Sequence, residues 1–142
     1  PMAFTRPAGM IAQLGALPRR QKRDALRTLR GTVLRTELYA LDGTDREARP
    51  YILTEQLQGV REEVPPEADS DRRAIFFSFP LAQRTTQWER GDDPLTQLTM
   101  MGEHDQYGRL LSQLSLAVPR GREYRSAAAS SEPYLATFGE TT

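Results

Sequence analysis

Thr96-Gln97-Leu98-Thr99-Met100-Met101-Gly102-Glu103-His104-Asp105-Gln106-Tyr107-Gly108-Arg109-Leu110-Leu111-Ser112-Gln113-Leu114-Ser115-Leu116-Ala117-Val118 is the stretch whose reading decides the fold. Polar and apolar residues roughly alternate from Thr96 to Met100, a period of two that suits a strand with one wet face. Asp105 can bond its own backbone and Gly108 can take a positive φ, the two properties that a tight reversal needs. The chain then returns with Leu110, Leu114, Leu116 and Val118 on one face and Gln113 and Ser115 on the other. An antiparallel hairpin is therefore expected here, and with it a chain built mainly of β-hairpins.

Upstream of the hairpin, Gly91-Asp92-Asp93-Pro94 is a turn signal. Residues 74–79 (AIFFSF) form the most apolar segment and predict a buried strand ended by Pro80. Residues 84–90, with Thr85, Thr86 and Trp88, are expected to pair with it across a short connection over 80–83. Residues 62–73 crowd Glu62, Glu63, Glu67, Asp69 and Asp71 around Pro65 and Pro66, which predicts a surface loop or strap. Strands are expected over 50–61 and 32–41, with a turn at Asp42-Gly43-Thr44-Asp45 between them. Pro18 suits a first helical turn and Gly31 a helix stop, so residues 19–30 predict the chain's one helix. Residues 1–17, with Pro7, Gly9 and Gly15 and no clear hydrophobic period, read as irregular. Beyond the hairpin, Pro119 to Arg122 break the strand, residues 126–131 (SAAASS) read as a flexible link, and residues 134–138 (YLATF) open a further strand. The division that follows is an irregular segment 1–17, a β module 18–125, and a linker with the start of another strand over 126–142.

With 142 residues, one core is the expectation, since two would each be thin. Apolar residues at 38% and aromatics at 8% point to a thin sheet with wide wet surfaces rather than an enclosed core. Lys plus Arg equals Asp plus Glu, at 19 each, so no net field draws the chain to nucleic acid or to an anionic membrane. Without cysteine, neither a disulfide frame nor a thiolate metal site can form. No apolar run approaches the ~20 residues needed to span a bilayer as a helix.

Candidate chemistry is sparse. His104 beside Asp105 is the one place where an imidazole could serve as a base, but no nucleophile motif accompanies it. Asp92 and Asp93 with Glu89 could offer oxygen ligands to a hard cation, yet the alternating carboxylates and closing Glu of a calcium loop are absent. Arg19, Arg20, Lys22, Arg23, Arg27 and Arg30 could form a phosphate-binding face, or simply a solvated helix surface lacking base readers. Trp88, Tyr39, Tyr51, Phe76, Phe77 and Phe79 could line a glycan or peptide groove, though strand aromatics ordinarily fill cores. No phosphate-loop, dinucleotide or zinc-protease pattern occurs. No catalytic residue, cofactor or metal is assigned.

Three stretches together carry a resemblance. ALRTLRGTVLRTELYALDG over 25–43 followed by Arg49-Pro50-Tyr51, TQWERGDDP over 86–94, and HDQYGRLL over 104–111 followed by VPRGR over 118–122 occur in one order. This set resembles the middle, C-terminal-side region of the B component of bacterial insecticidal toxin complexes, over about residues 16–125. His104 departs from that pattern, which more often has an acidic or apolar residue there, and so does the strap over 62–71.

The resemblance implies a secreted toxin subunit with a β-propeller that docks on a pore-forming translocator, and an Rhs-type (YD-repeat) β-shell. With the C component that shell encloses a cytotoxic enzyme. This region would lie between propeller and repeats and contribute strands to the shell wall, without catalytic or binding residues of its own. Its implied partners are the neighbouring propeller and shell domains and the C component, with no nucleic acid and no direct membrane insertion. The fold expected is therefore mainly β: an antiparallel sheet of hairpins with one N-terminal helix, part of such a shell. The rival reading is a small β binding module that holds a glycan or peptide through Trp88 and nearby tyrosines.

Overall fold

A computed structural model of the chain describes residues 7–67, 72–89, 91–120 and 134–141. They form two short helices, α1 (Ala8–Ala16) and α2 (Arg19–Arg27), and six strands, β1 (Arg35–Leu38), β2 (Ile52–Val64), β3 (Ile75–Gln87), β4 (Leu95–Met101), β5 (Ser112–Val118) and β6 (Leu135–Glu140). The strands make one antiparallel sheet in the order β1-β2-β3-β4-β5-β6, so each pairs with its neighbour in sequence. Two compact units divide the chain, one drawn from Pro1–Val33 with Leu57–Leu81 and the other from Leu34–Gln56 with Ala82–Thr142. No described helix is long and apolar enough to cross a membrane.

In the first unit, α1 corrects the expectation of a single helix after an irregular start. Pro7 acts there as a starter rather than a breaker, because its carbonyl accepts the first helical bond from Ile11 N–H at 3.1 Å. The alanines, Leu14 and Met10 supply enough helix propensity to carry Gly9 and Gly15. Leu17 then turns extended, with ψ 140°, as a residue before proline should. The predicted α2 starts where expected, with Lys22 N–H bonding the Pro18 carbonyl at 2.9 Å, but it ends at Arg27 rather than Arg30, and the chain leaves through a tight turn to Gly31 at φ +83°. Ala25 is its one buried residue.

The β part of this unit packs through a glycine. A Cβ on Gly59 would lie 2.8 Å from the Phe79 ring and 2.9 Å from the Met10 methyl, so a hydrogen at this position admits both neighbours. The Phe77 and Phe79 rings run nearly parallel with centroids 6.4 Å apart, and the Arg61 guanidinium lies over Phe77 at 5.2 Å.

Three strand boundaries differ from expectation. Pro80 does not end a strand: β3 runs through it for 13 residues, so the two strands expected over 74–79 and 84–90 are one. The β3–β4 ladder begins only at Ala82↔Met100, and Pro80 lies beyond it, where no N–H is needed on that side. Likewise β2 continues to Val64, taking Glu62 and Glu63 out of the expected strap and into a strand. Pro65 and Pro66 stop it, not the acids. Of the remaining acids, Glu67 is exposed outside any strand, and Asp69 and Asp71 lie outside the described residues. Finally, β1 is shorter than 32–41: in its register Ala40 would face Pro50, which has no N–H to extend the ladder.

In the second unit the deciding hairpin forms as read. Thr96 pairs with Val118, Leu98 with Leu116 and Met100 with Leu114. Its tip closes through Asp105 N–H to the Arg109 carbonyl at 2.9 Å and Gly108 N–H to the Asp105 carbonyl at 3.1 Å, with Gly108 at φ +82°. The strand predicted over 134–138 is β6, paired with β5 from Leu135↔Ala117 to Glu140↔Ser112. The link expected over 126–131 lies outside the described residues. Buried apolar residues are few, namely Ala25, Val60, Ala82 and Val118 among those described. A lightly covered sheet of this kind exposes much of its side-chain surface.

Candidate functional site

On one face of the second unit, period-two geometry places Ala82, Arg84 and Thr86 of β3 together, and all three are buried. Register carries the same face across the sheet: Arg35 stands opposite Glu55, and Arg84 stands opposite Leu98, which faces Leu116. The result is a row of ionic side chains that gives way to an apolar row. Arg84 Nε donates to Glu55 Oε2 at 2.7 Å, and its terminal nitrogen donates to the same oxygen. Arg35 donates to Glu55 Oε1 at 2.9 Å and, through its Nε at 2.6 Å, to Glu37 Oε1. The Tyr39 hydroxyl completes the row by donating to Glu37 Oε2.

The electrostatics follow from these contacts. The Tyr39 hydroxyl, and then Arg35, hold the Glu37 carboxyl below its usual range, while Glu37 raises the Tyr39 hydroxyl. Glu55 is the hinge of the row, since it divides its two oxygens between a buried guanidinium and a half-exposed one. Such a row locks three strands together by charge-assisted bonds. Each carboxylate in it is already taken up by a cation or a hydroxyl, so none stands ready to move a substrate proton.

The residues singled out in the sequence are not brought together. The Asp105 carboxylate accepts backbone N–H bonds from Arg109 at 2.8 Å and Tyr107 at 2.9 Å, and these bonds hold its pKa below the ordinary value. It therefore serves the turn. Asp92 pairs with Arg49, and Glu89 lies 3.7 Å from Arg120. Among the described residues no three acids or histidines gather as a metal site would require. Trp88 and Tyr51 are half-buried, and the Trp88 backbone N–H donates to the Tyr51 carbonyl at 2.9 Å. Phe76, Phe77 and Phe79 are half-buried on β3. The row through Arg84 and Glu55 was missed, because its partners lie 29 residues apart. The available signal was an arginine at an inward position between Ala82 and Thr86.

The sheet's two ends carry the other distinctive surface. All six residues of β6 are exposed, Leu135 at 71% and Phe138 at 61%. At the opposite end every residue of β1 is exposed, Leu38 at 56%. Among the described residues neither strand has a partner on its outer side. Edge strands that carry apolar side chains are pairing surfaces.

Comparison with known proteins adds a family and a fold. The family model described as "Insecticide toxin TcdB middle/C-terminal region" matches residues 24–141. The chain is similar to part of the crystal structure of TcdB2-TccC3, with a TM-score of 0.66 at 27% identity over 81% of this chain. A TcdB2-TccC3 structure without the hypervariable C-terminal region gives a TM-score of 0.66 at 29% identity over 82%. A Tc holotoxin pore from Photorhabdus luminescens gives 0.65 at 28% identity over 78%. In each case the chain spans 5% of the length of the protein that it matches. No curated protein matches it.

Proposed function

Because the chain belongs to the family of the insecticide toxin TcdB middle/C-terminal region, we propose that it is a structural, non-catalytic segment of a secreted toxin-complex B component. In this reading it contributes strands to the β-shell that, with the C component, encloses and helps deliver a cytotoxic enzyme. Its neighbours are the propeller and repeat domains of the same subunit and the C component. The wall module is taken over 18–125, with a linker and a further strand over 126–142, β6, which pairs back onto its β5 edge.

The observation that carries this reading is the pair of exposed edge strands. β6 offers an unpaired backbone edge with Leu135 and Phe138 exposed, and β1 offers the same with Leu38, among the described residues. Flanking strands of a wall would take up both edges. The side chains within the sheet bond one another, as supporting elements do. A glycan- or peptide-binding module would instead need a wet aromatic platform, and Trp88 is half-buried.

Hydrogen exchange on the intact subunit tests the proposal. The outward-facing amides of β1 and β6 should be as protected as those of the inner strands β3 and β4, because flanking strands bond them. Rapid exchange along both edges in the intact subunit would refute a wall role. Binding of a glycan array that is abolished by Trp88→Ala would favour the binding module.

A further inference from the structure

The basic helix α2 presents a surface that the wall role does not use. Arg19, Lys22, Arg23, Leu26, Arg27 and Arg30 line one shallow exposed depression. Over 19–30 there are six cations and one acid, in a chain whose net charge is zero. Two of these cations are engaged within the unit: Lys22 Nζ donates to the Gly15 carbonyl at 3.1 Å, and Arg27 pairs with Asp24 at 3.3 Å. The side chains of Arg19, Arg23 and Arg30 make no ion pair or hydrogen bond among the described residues. Arg19 and Arg23 fall at helical spacing with Leu26, which is 51% exposed, and Arg30 follows in the turn just past the helix. The helix turns its opposite side inward at Ala25.

We infer that this face of α2 docks an acidic polypeptide segment, with Arg19, Arg23 and Arg30 taking its carboxylates and Leu26 seating one apolar side chain between them. Arginine forks suit planar carboxylates, and clusters of them are a recurrent means of holding acidic motifs. The helix from Arg19 to Arg27 is roughly 12 Å long at ~1.5 Å per residue and the turn carries Arg30 beyond its end, a stripe that an extended segment of about five residues matches. The apolar centre argues for a peptide over a nucleic acid. A phosphate backbone has nothing to place on Leu26, and the face carries no aromatic or amide base reader.

The test uses the intact protein that carries this chain and fluorescence anisotropy with a labelled 12-residue Glu-rich peptide bearing one central leucine. Comparison probes are the same peptide with serine for leucine, a single-stranded oligonucleotide, and vesicles of mixed phosphatidylserine and phosphatidylcholine. The leucine peptide should bind best and weaken as salt rises from 50 to 200 mM. Arg23→Gln with Arg30→Gln should weaken it roughly tenfold, and Leu26→Ser should abolish the preference for leucine over serine. Arg20→Gln, off this face, should change binding less than twofold. All these side chains are exposed, so circular dichroism should show the variants folded. Tighter binding of the oligonucleotide or the vesicles, or peptide binding indifferent to Arg23 and Arg30, would overturn the inference.

Discussion

Truncating Glu55 to alanine should be the most damaging single change to the second unit. Arg84 retains 7% of its side-chain exposure and Glu55 12%, so the pair has been taken almost wholly out of water. Arg84 spends its Nε and one terminal nitrogen on Glu55 Oε2, and Arg35 reaches the other oxygen at 2.9 Å. Alanine at position 55 leaves the Arg84 guanidinium buried without that carboxylate. Breaking such a pair from one side costs about 3–5 kcal/mol, several times the worth of an exposed pair. For a chain of this size, at roughly 3 °C per kcal/mol, the melting temperature should fall by about 10–15 °C. Thermal and urea unfolding followed by circular dichroism would measure it, with two comparisons. Arg35→Gln, whose side chain is 43% exposed, should cost under about 1 kcal/mol. Glu55→Leu combined with Arg84→Met removes both charges together and should return stability to within about 1 kcal/mol of the parent. A Glu55→Ala cost below ~1 kcal/mol, or a double variant as unstable as the single one, would refute the reasoning.

Other substitutions probe the remaining features. Gly59→Ala pushes a methyl group into the Phe79 ring and the Met10 methyl and should cost about 1–3 kcal/mol, read by urea unfolding. The Asp105 carboxyl, followed by NMR, should titrate below the free value of about 3.9. Its folded pKa is depressed, so its contribution is complete above that free value and is lost as pH falls through the folded one; a titration at or above the free value would remove that contribution. Tyr39→Phe removes the hydroxyl that acts most strongly on Glu37, so the Glu37 titration should move upward. The chain studied alone should self-associate through its edges, and Leu135→Lys with Phe138→Lys should shift sedimentation toward monomer.

Much of the sheet was legible because its information is local. The hairpin over 96–118 declares its period, its turn and its return within 23 consecutive residues, and the register follows the alternation. What escaped depended on partners or context. Pro80 reads as a terminator until it is known that the β3–β4 ladder starts two residues later. Glu62 and Glu63 read as loop residues until β2 is seen to run on past its buried centre with both of them exposed. Pro7 and Gly9 suggested an irregular segment, whereas the first supplied the carbonyl that starts α1. For the candidate site, His104 and Asp105 attracted attention through adjacency alone. The Arg84–Glu55 pair left no mark in the sequence beyond an inward-facing arginine.

The order of the strands has a consequence for biosynthesis. Every strand lies beside the one made just before it, so a nascent chain emerging from the ribosome can add each to an existing template without waiting for later residues. Such a chain grows like a zip fastener, its advancing edge passing from strand to strand while the outer edge of β1 stays open. Contacts of short sequence separation favour rapid closure, which limits how long that edge is offered to other copies.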